Sequence, residues 1–206
     1  ELRMLAHYMH PFDDGAYADL ILNGDIHTAN QKAAGLASRE QAKTFIYGFL
    51  YGGGDAKIGE IVGGSKAHGR RLKEQFLRNL PALAKLSEEV SNEAEEKSNL
   101  ILPDGRTVPV RHAHAALNTL LQGAGAIVSK YWMVVADHNL TARFGKDVVR
   151  QVAYVHDEVQ YSCPAELAEE AGQIVIDSAL EAGRRLDIRM PVGAEYAIGK
   201  SWADTH

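Results

Sequence analysis

Residues 38–54 read SREQAKTFIYGFLYGGG and contain the most informative pattern of the chain. Four residues recur at a spacing of four, directly before Gly52: Arg39, Lys43, Tyr47 and Tyr51. Because an α-helix has about 3.6 residues per turn, this spacing places the four side chains along one flank of a helix. Two cations at one end and two phenols at the other suit a ligand with a phosphate tail, a sugar and a base.

The other positions of this segment predict a buried helix face. Apolar residues recur with helical spacing at Ala42, Phe45, Ile46, Phe49 and Leu50. Ser38 followed by Gln41 has the form of a capping box, and the glycines from Gly52 onward favour the left-handed conformation that ends a helix. An ordinary solvated helix face is the alternative explanation for Arg39 and Lys43, since cations at this spacing often have no other role.

Composition limits the class of protein and the kinds of site. The chain has 206 residues, 46% hydrophobic content and a formal net charge of −5, so any contact with nucleic acid depends on local basic patches. One cysteine, Cys163, excludes an intramolecular disulfide and a cysteine-rich zinc site. No apolar run approaches the roughly 20 residues of a membrane-spanning helix, and no signal peptide opens the sequence. We therefore expect an intracellular protein without membrane contact.

Hydrophobic periodicity predicts a helix-rich α+β chain with two hairpins. The first expected helix begins near residue 2. The second covers 16–34 and is interrupted near Asn23-Gly24. The others are expected at 38–50, 65–80, 82–97, 113–140 and 165–186. Pro103-Asp104-Gly105 predicts one hairpin, and the strand-like runs 152–155 and 159–162 predict the other. We also expect a turn at 11–15 and a short strand at 190–194.

His156, Asp157 and Glu158 lie between the strands of the second hairpin, without glycine or proline. Adjacent carboxylates repel each other, and a cation, most often a divalent metal ion, is needed to neutralise them near a core. Two acids at a tight bend therefore suggest a metal site. An exposed charged turn explains the same pattern equally well.

Two of these motifs resemble those of one enzyme family, in the same order. The run Arg39-x-x-x-Lys43-x-x-x-Tyr47-x-x-x-Tyr51-Gly52 resembles the signature of the fingers helix in family A DNA polymerases. Val155-His156-Asp157-Glu158 resembles their palm motif. Further similar segments are Asp25–Thr28, the hairpin at Asp104-Gly105-Arg106, the segment from His114 to Gln122, and the closing Gly199-x-x-Trp202-x-x-x-His206. Residues 42–52 are most similar to the phage replicative branch.

The resemblance implies an architecture and a reaction. Residues 1–20 would be the end of the first palm motif with the following helix, 21–112 the fingers, and 113–206 the carboxy-terminal palm with an antiparallel hairpin. The implied reaction is template-directed nucleotidyl transfer from a dNTP to a primer 3′-hydroxyl by a two-metal mechanism with two Mg²⁺ ions. Primer-template DNA and dNTP are the implied partners.

The resemblance also implies a role for individual residues. Asp157 and Glu158 would be the catalytic carboxylates that bind metal, and Lys43 would act as a general acid. The implied nucleotide contacts are Arg39, Lys43 and His27 at the triphosphate, Tyr47 at the sugar, and Glu1, which would block a ribose 2′-hydroxyl. The implied DNA contacts are Tyr51, Gly52, Asn118, Gln122, His156 and Arg106.

In the family, a further metal-binding aspartate lies a few residues before the position that Glu1 matches. We therefore expect the 206-residue polypeptide to be inactive alone and to need the missing amino-terminal palm and thumb. Unpaired palm strands would favour self-association. A processivity factor is a further candidate partner, and the cytoplasm of a bacterial or phage-infected cell is the expected location. The alternatives are a polymerase remnant that binds nucleotide or DNA without chemistry, and a helical scaffold with chance motifs.

Overall fold

The computed structural model describes residues 1–205, in which helices predominate. The α-helices in this range are α1 (Leu2–Asp13), α2 (Ala16–Asn23), α3 (Ile26–Ala34), α4 (Arg39–Leu50), α5 (Asp55–Ile61), α6 (Lys66–Asn79), α7 (Pro81–Lys97), α8 (Ala116–Phe144) and α9 (Ala168–Arg185). The strands are β1 (Asn99–Ile101), β2 (Thr107–Pro109), β3 (Arg150–Val155) and β4 (Glu158–Ser162). They form two antiparallel pairs, β1 with β2 and β3 with β4. The predicted helix-rich α+β fold with two hairpins is confirmed.

The chain divides into two compact units, Glu1–Ala124 and Gly125–His206, and the boundary falls within α8. His206, the last residue of the closing sequence motif, lies outside the described residues. No helix within residues 1–205 is both long and apolar enough to cross a membrane.

Helix α4 lies in the core of the first unit and has the predicted boundaries. Ser38 Oγ accepts a hydrogen bond from the Gln41 N–H at 3.2 Å, and Gly52 ends the segment with a φ of 76°. The apolar face is buried as expected, with Phe45 fully inaccessible. The Phe45 and Phe76 rings meet edge to face with centroids 5.0 Å apart, which fastens α4 to α6.

Helix α5 was not predicted, and it packs against α6 almost backbone to backbone. A Cβ atom on Gly69 would lie 2.0 Å from the Asp55 carbonyl oxygen and 2.5 Å from the Gly59 nitrogen. A Cβ on Gly59 would lie 2.3 Å from the Ser65 carbonyl oxygen. These glycines therefore allow a close approach of the two helices, because they have no side chain between the backbones.

Two other local predictions were wrong. The turn predicted at 11–15 starts later, because α1 continues through Pro11 to Asp13 and the chain turns at Asp14 and Gly15, with φ values of 51° and 84°. Residues 190–194 do not form a strand. Val192 instead packs against α9, where a Cβ on Gly183 would lie 2.7 Å from its Cγ2 atom. Apolar packing thus explains the hydrophobic pattern without strand pairing.

The second unit has a core of its own between α8 and α9. Its buried cluster consists of Ala136, Leu140, Ala171 and Val175. Trp132 packs against this cluster and donates its indole N–H to the Val175 carbonyl oxygen at 2.8 Å. In the same unit, β3 and β4 pair with Val155 opposite Glu158, so that His156 and Asp157 form a two-residue turn.

Candidate nucleotide-binding face and metal-binding turn

The four residues of the repeated pattern lie outside the buried face of α4. Arg39 and Lys43 are exposed, Tyr47 is half-buried, and the Tyr51 side chain at the end of the helix is 51% exposed. The Tyr47 and Tyr51 rings are tilted by 30° with centroids 6.3 Å apart. The structure therefore presents cations near the start of the helix and aromatic rings near its end, as the spacing predicted. We call this flank the α4 face.

A wide groove of about 620 Å³ opens between the α4 face and α5. Glu40, Lys43 and Tyr47 line it from α4, and Lys57 and Ile61 line it from α5. A Cβ on Gly48 would lie 2.6 Å from Ile61 Cδ1, so this glycine lets α5 approach. Sequence reasoning missed Lys57 because it did not predict α5.

Arg39 is fixed by an ion pair with Asp25. Its Nε atom donates to Asp25 Oδ2 at 2.9 Å. Asp25 is also the N-cap of α3, where it accepts the backbone N–H groups of His27 and Thr28 and the Thr28 hydroxyl. The bond from Arg39, followed by that from Thr28, holds the pKa of Asp25 well below its usual range. Asp25 therefore ties the start of α3 to the start of α4.

His27 lies close to the same cations. Burial is the main cause that lowers the pKa of its imidazole, and the charges of Arg39 and Lys43 lower it further, against the opposing effect of Asp25. Its Nδ1 atom is buried and has no hydrogen-bond partner within residues 1–205. The structure thus brings together Arg39, His27 and Lys43, the three residues predicted to contact a triphosphate. An anion in their midst would relieve the repulsion among them.

A second cluster joins three predicted site residues from distant parts of the sequence. The Tyr51 hydroxyl lies 2.9 Å from both carboxylate oxygens of Glu1. Gln122 Nε2 donates to Glu1 Oε1 at 2.7 Å. Burial and the neighbouring Glu1 raise the pKa of the Tyr51 phenol, which therefore stays protonated and acts as a donor at neutral pH. Glu1 was predicted to contact the nucleotide, and Tyr51 and Gln122 were predicted to contact DNA. In the structure these three residues form one hydrogen-bonded network.

Three other predicted DNA contacts, Asn118, Gly52 and Arg106, also belong to the first unit. Asn118 is one turn before Gln122 on α8 and makes no side-chain hydrogen bond within residues 1–205. A Cβ on Gly52 would lie 3.5 Å from the His114 carbonyl oxygen. Arg106 is in the β1–β2 hairpin, where it pairs with Asp104 at 2.7 Å.

The two carboxylates of the β3–β4 hairpin differ in their surroundings. Asp157 is exposed, and its carboxylate has no hydrogen-bond donor or cationic partner within residues 1–205. Glu158 is half-buried, and its Oε1 atom accepts hydrogen bonds from Trp202 Nε1 at 2.7 Å and from Gln160 Nε2. Neither donor was predicted as a site residue. His156 reaches the turn with a φ of 56°, a left-handed conformation that glycine usually occupies.

Oxygen donors of this kind fit Mg²⁺, which prefers hard ligands and retains several waters. Asp157 is open to such an ion, whereas one oxygen of Glu158 is already hydrogen-bonded. Within residues 1–205, no three side chains of His, Cys, Asp and Glu converge to hold a metal ion. Two carboxylates by themselves supply only part of the octahedral shell that Mg²⁺ prefers.

Comparisons with known proteins match nearly the whole chain to one family. The profile described as DNA polymerase family A matches residues 1–204. The chain is 46% identical to the DNA-directed DNA polymerase of Escherichia phage T7 and 44% identical to that of Enterobacteria phage T3; each alignment covers 100% of this chain and 32% of the relative. It is 31% identical to DNA polymerase I of Aquifex aeolicus over 80% of this chain and 30% of that protein. The chain thus spans about a third of the length of these curated relatives.

A solved structure shares the fold. The POL domain of Pol1 from M. smegmatis, in complex with DNA primer-template and dNTP, matches with a TM-score of 0.83. The match covers 98% of this chain and 38% of that chain, at 19% sequence identity. At this identity the likeness concerns the fold alone.

Proposed function

This chain belongs to DNA polymerase family A, and from that membership we propose that it supplies the nucleotide-binding helix and the carboxy-terminal catalytic carboxylates of a template-directed DNA polymerase of the phage replicative type. The proposed reaction is nucleotidyl transfer from a dNTP to a primer 3′-hydroxyl. The observation that carries the proposal is the α4 face, whose order of cations and aromatic rings corresponds to the triphosphate and sugar of one nucleotide.

We propose that the triphosphate binds to Arg39, His27 and Lys43. Positive charge at this position would stabilise the charge that develops on the pyrophosphate leaving group. Arg39 is oriented by Asp25, so its guanidinium loses little freedom when it binds phosphate. Lys43 is also the proposed general acid, and Tyr47 would lie against the sugar. Lys57, across the groove, adds a further cation.

Asp157 and Glu158 are the proposed metal-binding carboxylates. When bound, two Mg²⁺ ions would activate the primer hydroxyl and stabilise the departing oxygen. From the likeness of residues 1–3 to the end of the family's first palm motif, we propose that a further metal-binding aspartate of the polymerase completes this site. The 206-residue polypeptide would then be inactive alone, and its missing palm and thumb partners would complete the site.

For DNA, the proposed contacts are those of Tyr51, Gly52, Asn118, Gln122, His156 and Arg106. We assign Asn118 and Gln122 to the minor groove near the new base pair. Groups in that groove are nearly alike for A·T and T·A pairs, so such contacts test the shape of a pair rather than its identity. Glu1, held by Tyr51 and Gln122, would face the ribose 2′ position. We place this activity, with any processivity factor, in the cytoplasm of a bacterial or phage-infected cell.

The decisive experiment uses the complete polymerase that contains this chain. Asp157→Ala is expected to lower Mg²⁺-dependent primer extension by about a thousandfold or more, as removal of central catalytic groups commonly does. Asp177→Ala, the same change at an exposed site on α9, is the matched control and should keep normal activity. Extension at the wild-type rate by Asp157→Ala would remove this residue from the mechanism.

Two further results would separate the alternatives. Primer extension by the purified 206-residue polypeptide should be undetectable, and template-dependent incorporation would overturn the proposed inactivity. A complete wild-type protein that binds dNTP and primer-template but never extends the primer would instead support the non-catalytic remnant.

A further inference from the structure

The Glu158 carboxylate is held by a residue far along the chain. Trp202 Nε1 donates to Glu158 Oε1 at 2.7 Å across a separation of 44 residues. Gln160 Nε2 donates to the same oxygen. Hydrogen bonds to a carboxylate are about twice as strong as those between neutral groups. Two donors on one oxygen therefore restrict the orientation of Glu158 directly beside Asp157.

The position of Trp202 is set by a short and well-defined turn. Residues Trp202–Asp204 form one turn of 3₁₀-helix with a capping box between Ser201 and Asp204. Asp204 Oδ2 accepts the backbone N–H groups of Lys200 and Ser201 at 3.0 and 2.9 Å, and the Ser201 hydroxyl at 3.0 Å. A Cβ on Gly199 would lie 2.4 Å from Asp204 Cβ, so glycine at this position lets the backbone pass close to Asp204.

Gln160 connects this turn to β4 in a second way. Its Oε1 atom lies 3.4 Å from the Thr205 hydroxyl, which also lies 3.1 Å from the Trp202 carbonyl oxygen, and its amide nitrogen donates to Glu158. The turn at Trp202–Thr205 therefore approaches Glu158 directly, through Trp202, and indirectly, through Gln160. We call Trp202, Thr205 and Gln160 the Glu158 clamp.

The Trp202 ring is not a core residue. It is 47% exposed, whereas Trp132 packs against the buried cluster of α8 and α9. Both indoles donate one hydrogen bond, but Trp132 donates to a backbone carbonyl and Trp202 to a carboxylate. Because an indole N–H can only donate, the polar atom of Trp202 suits an ionised acid. Hydrophobic burial alone does not account for its placement.

We propose that Trp202 is a positioning residue that acts through Glu158 and thereby strengthens binding of divalent cations at the β3–β4 turn. The inference rests on the proposed metal role of Asp157 and Glu158. Groups that orient a metal ligand fix its geometry before the ion arrives, and their removal typically weakens metal affinity by about 10- to 100-fold. The clamp thus supplies two hydrogen bonds that orient Glu158 before an ion arrives.

The test compares two substitutions of the same kind in the complete polymerase. Trp202→Phe removes the indole N–H and keeps an aromatic ring, and it should raise the Mg²⁺ concentration at half-maximal primer extension about tenfold. Trp132→Phe also removes one indole donor. That variant should melt at a lower temperature and keep the wild-type Mg²⁺ requirement. An unchanged requirement in Trp202→Phe would overturn the proposal.

A second readout does not depend on activity. Binding of Mn²⁺ alone, without DNA or nucleotide, is followed through the electron paramagnetic resonance signal of the free ion. Trp202→Phe should weaken this binding about tenfold, and Trp132→Phe should leave it unchanged. If Trp202→Phe does not melt cooperatively, Gln160→Met replaces it, since that variant removes the other donor and should change Mn²⁺ affinity in the same direction.

A double-mutant cycle identifies the route of the effect. In a Glu158→Ala background, Trp202→Phe should cause no further change in Mn²⁺ affinity, because the residue through which it acts is gone. An equal effect in both backgrounds would contradict the clamp.

Failure of the proposed function gives a different result: Asp157→Ala would then retain primer extension and Mn²⁺ binding. If Asp157→Ala abolishes both and Trp202→Phe changes neither, only the positioning role fails.

Discussion

The Tyr51 hydroxyl lies within 2.9 Å of both carboxylate oxygens of Glu1, a residue 50 positions earlier in the sequence. Gln122, 121 positions from Glu1, donates to the same carboxylate. This network connects the first residue of the chain with the end of α4 and with the first part of α8. A residue proposed to select the sugar is therefore oriented by two residues proposed to contact DNA.

Tyr51→Phe in the complete polymerase should weaken discrimination against ribonucleotides. The substitution keeps the ring and removes one of the two donors that hold Glu1, so the carboxylate becomes freer to move away from a 2′-hydroxyl. We expect the ratio of kcat/KM values for dNTP and rNTP to fall about threefold to tenfold, which corresponds to the roughly 0.5–1.5 kcal/mol of a typical hydrogen bond, because Gln122 still holds Glu1. Tyr131→Phe, at an exposed site on α8, should keep the wild-type ratio. Unaltered discrimination in Tyr51→Phe would argue against this role of the network.

Asp25→Asn should raise the KM for dNTP. Asparagine is as good an N-cap as aspartate, so α3 is preserved while Arg39 loses its ionic partner. The less ordered guanidinium then has to be fixed by the triphosphate, and we expect KM to rise about threefold to tenfold with a smaller change in kcat. Asp19→Asn, an exposed position on α2, serves as the control. A lower KM in Asp25→Asn would mean that Asp25 competes with phosphate for Arg39.

The pKa of His27 should rise when a triphosphate binds. In the free protein it lies below the ordinary value of 6.5 because of burial and the nearby Arg39 and Lys43. A polyanion reverses the balance of charge and favours the imidazolium. Titration of ¹³C-labelled histidine rings by NMR, with His27→Gln to assign the signal, measures both values. Lys43→Ala should raise the pKa of free His27, and a pKa that ignores both Lys43 and nucleotide would contradict the proposed phosphate site.

The same shift predicts a pH dependence of stability. Because the folded state lowers the pKa of His27, it favours the neutral imidazole. The contribution to the free energy of unfolding is therefore present above the unfolded pKa, near 6.5, and is lost as pH falls below that value and through the lower pKa of the folded state. Between about pH 7 and about pH 5, wild type should lose more stability in urea than His27→Gln, and a larger loss in the variant would reverse the sign.

His156→Gly should stabilise the β3–β4 hairpin. His156 has a φ of 56°, a conformation that costs a residue with a Cβ about 1–2 kcal/mol, while glycine loses more entropy on folding. We expect a net gain of about 0.5–1 kcal/mol in the free energy of unfolding, measured by urea denaturation. His156→Ala also lacks the imidazole but keeps the strain, so it should not gain. Equal stabilities of the glycine and alanine variants would exclude backbone strain at this turn.

Much of the fold follows from local sequence patterns. The apolar spacing of residues 42–50, the Ser38 cap and the glycines at 52–54 are local signals, and α4 has the predicted boundaries. The β3–β4 hairpin was likewise visible in its two strand-like runs. Helix α5 was missed because its interior Gly59 and flanking glycines resemble a loop. The close approach of Gly69 accounts for the glycine inside the helix. At residues 190–194, apolar residues pack without a pairing strand, which the sequence cannot distinguish from a strand.

Within the candidate sites, residues that share one helix were predicted, whereas contacts between distant residues were not. Arg39, Lys43, Tyr47 and Tyr51 were predicted together because one helix carries them. The bonds of Glu1 to Tyr51 and Gln122, and of Glu158 to Trp202, span from 44 to 121 residues. A helix or strand repeat cannot predict contacts over such distances in sequence, since only the folded chain brings these residues together. Asp25 belongs to a segment that resembles the family, but its ion pair with Arg39 was not predicted.

The contact between Gly59 and Gly69 has a consequence for how this region tolerates mutation. Alanine is the mildest replacement at most helix positions, yet here its methyl group would overlap backbone atoms of the neighbouring helix. A comprehensive substitution scan should therefore show that even alanine is rejected at Gly59 and Gly69. Selection at these sites would act on the absence of an atom, and a survey of core hydrophobic residues would overlook them.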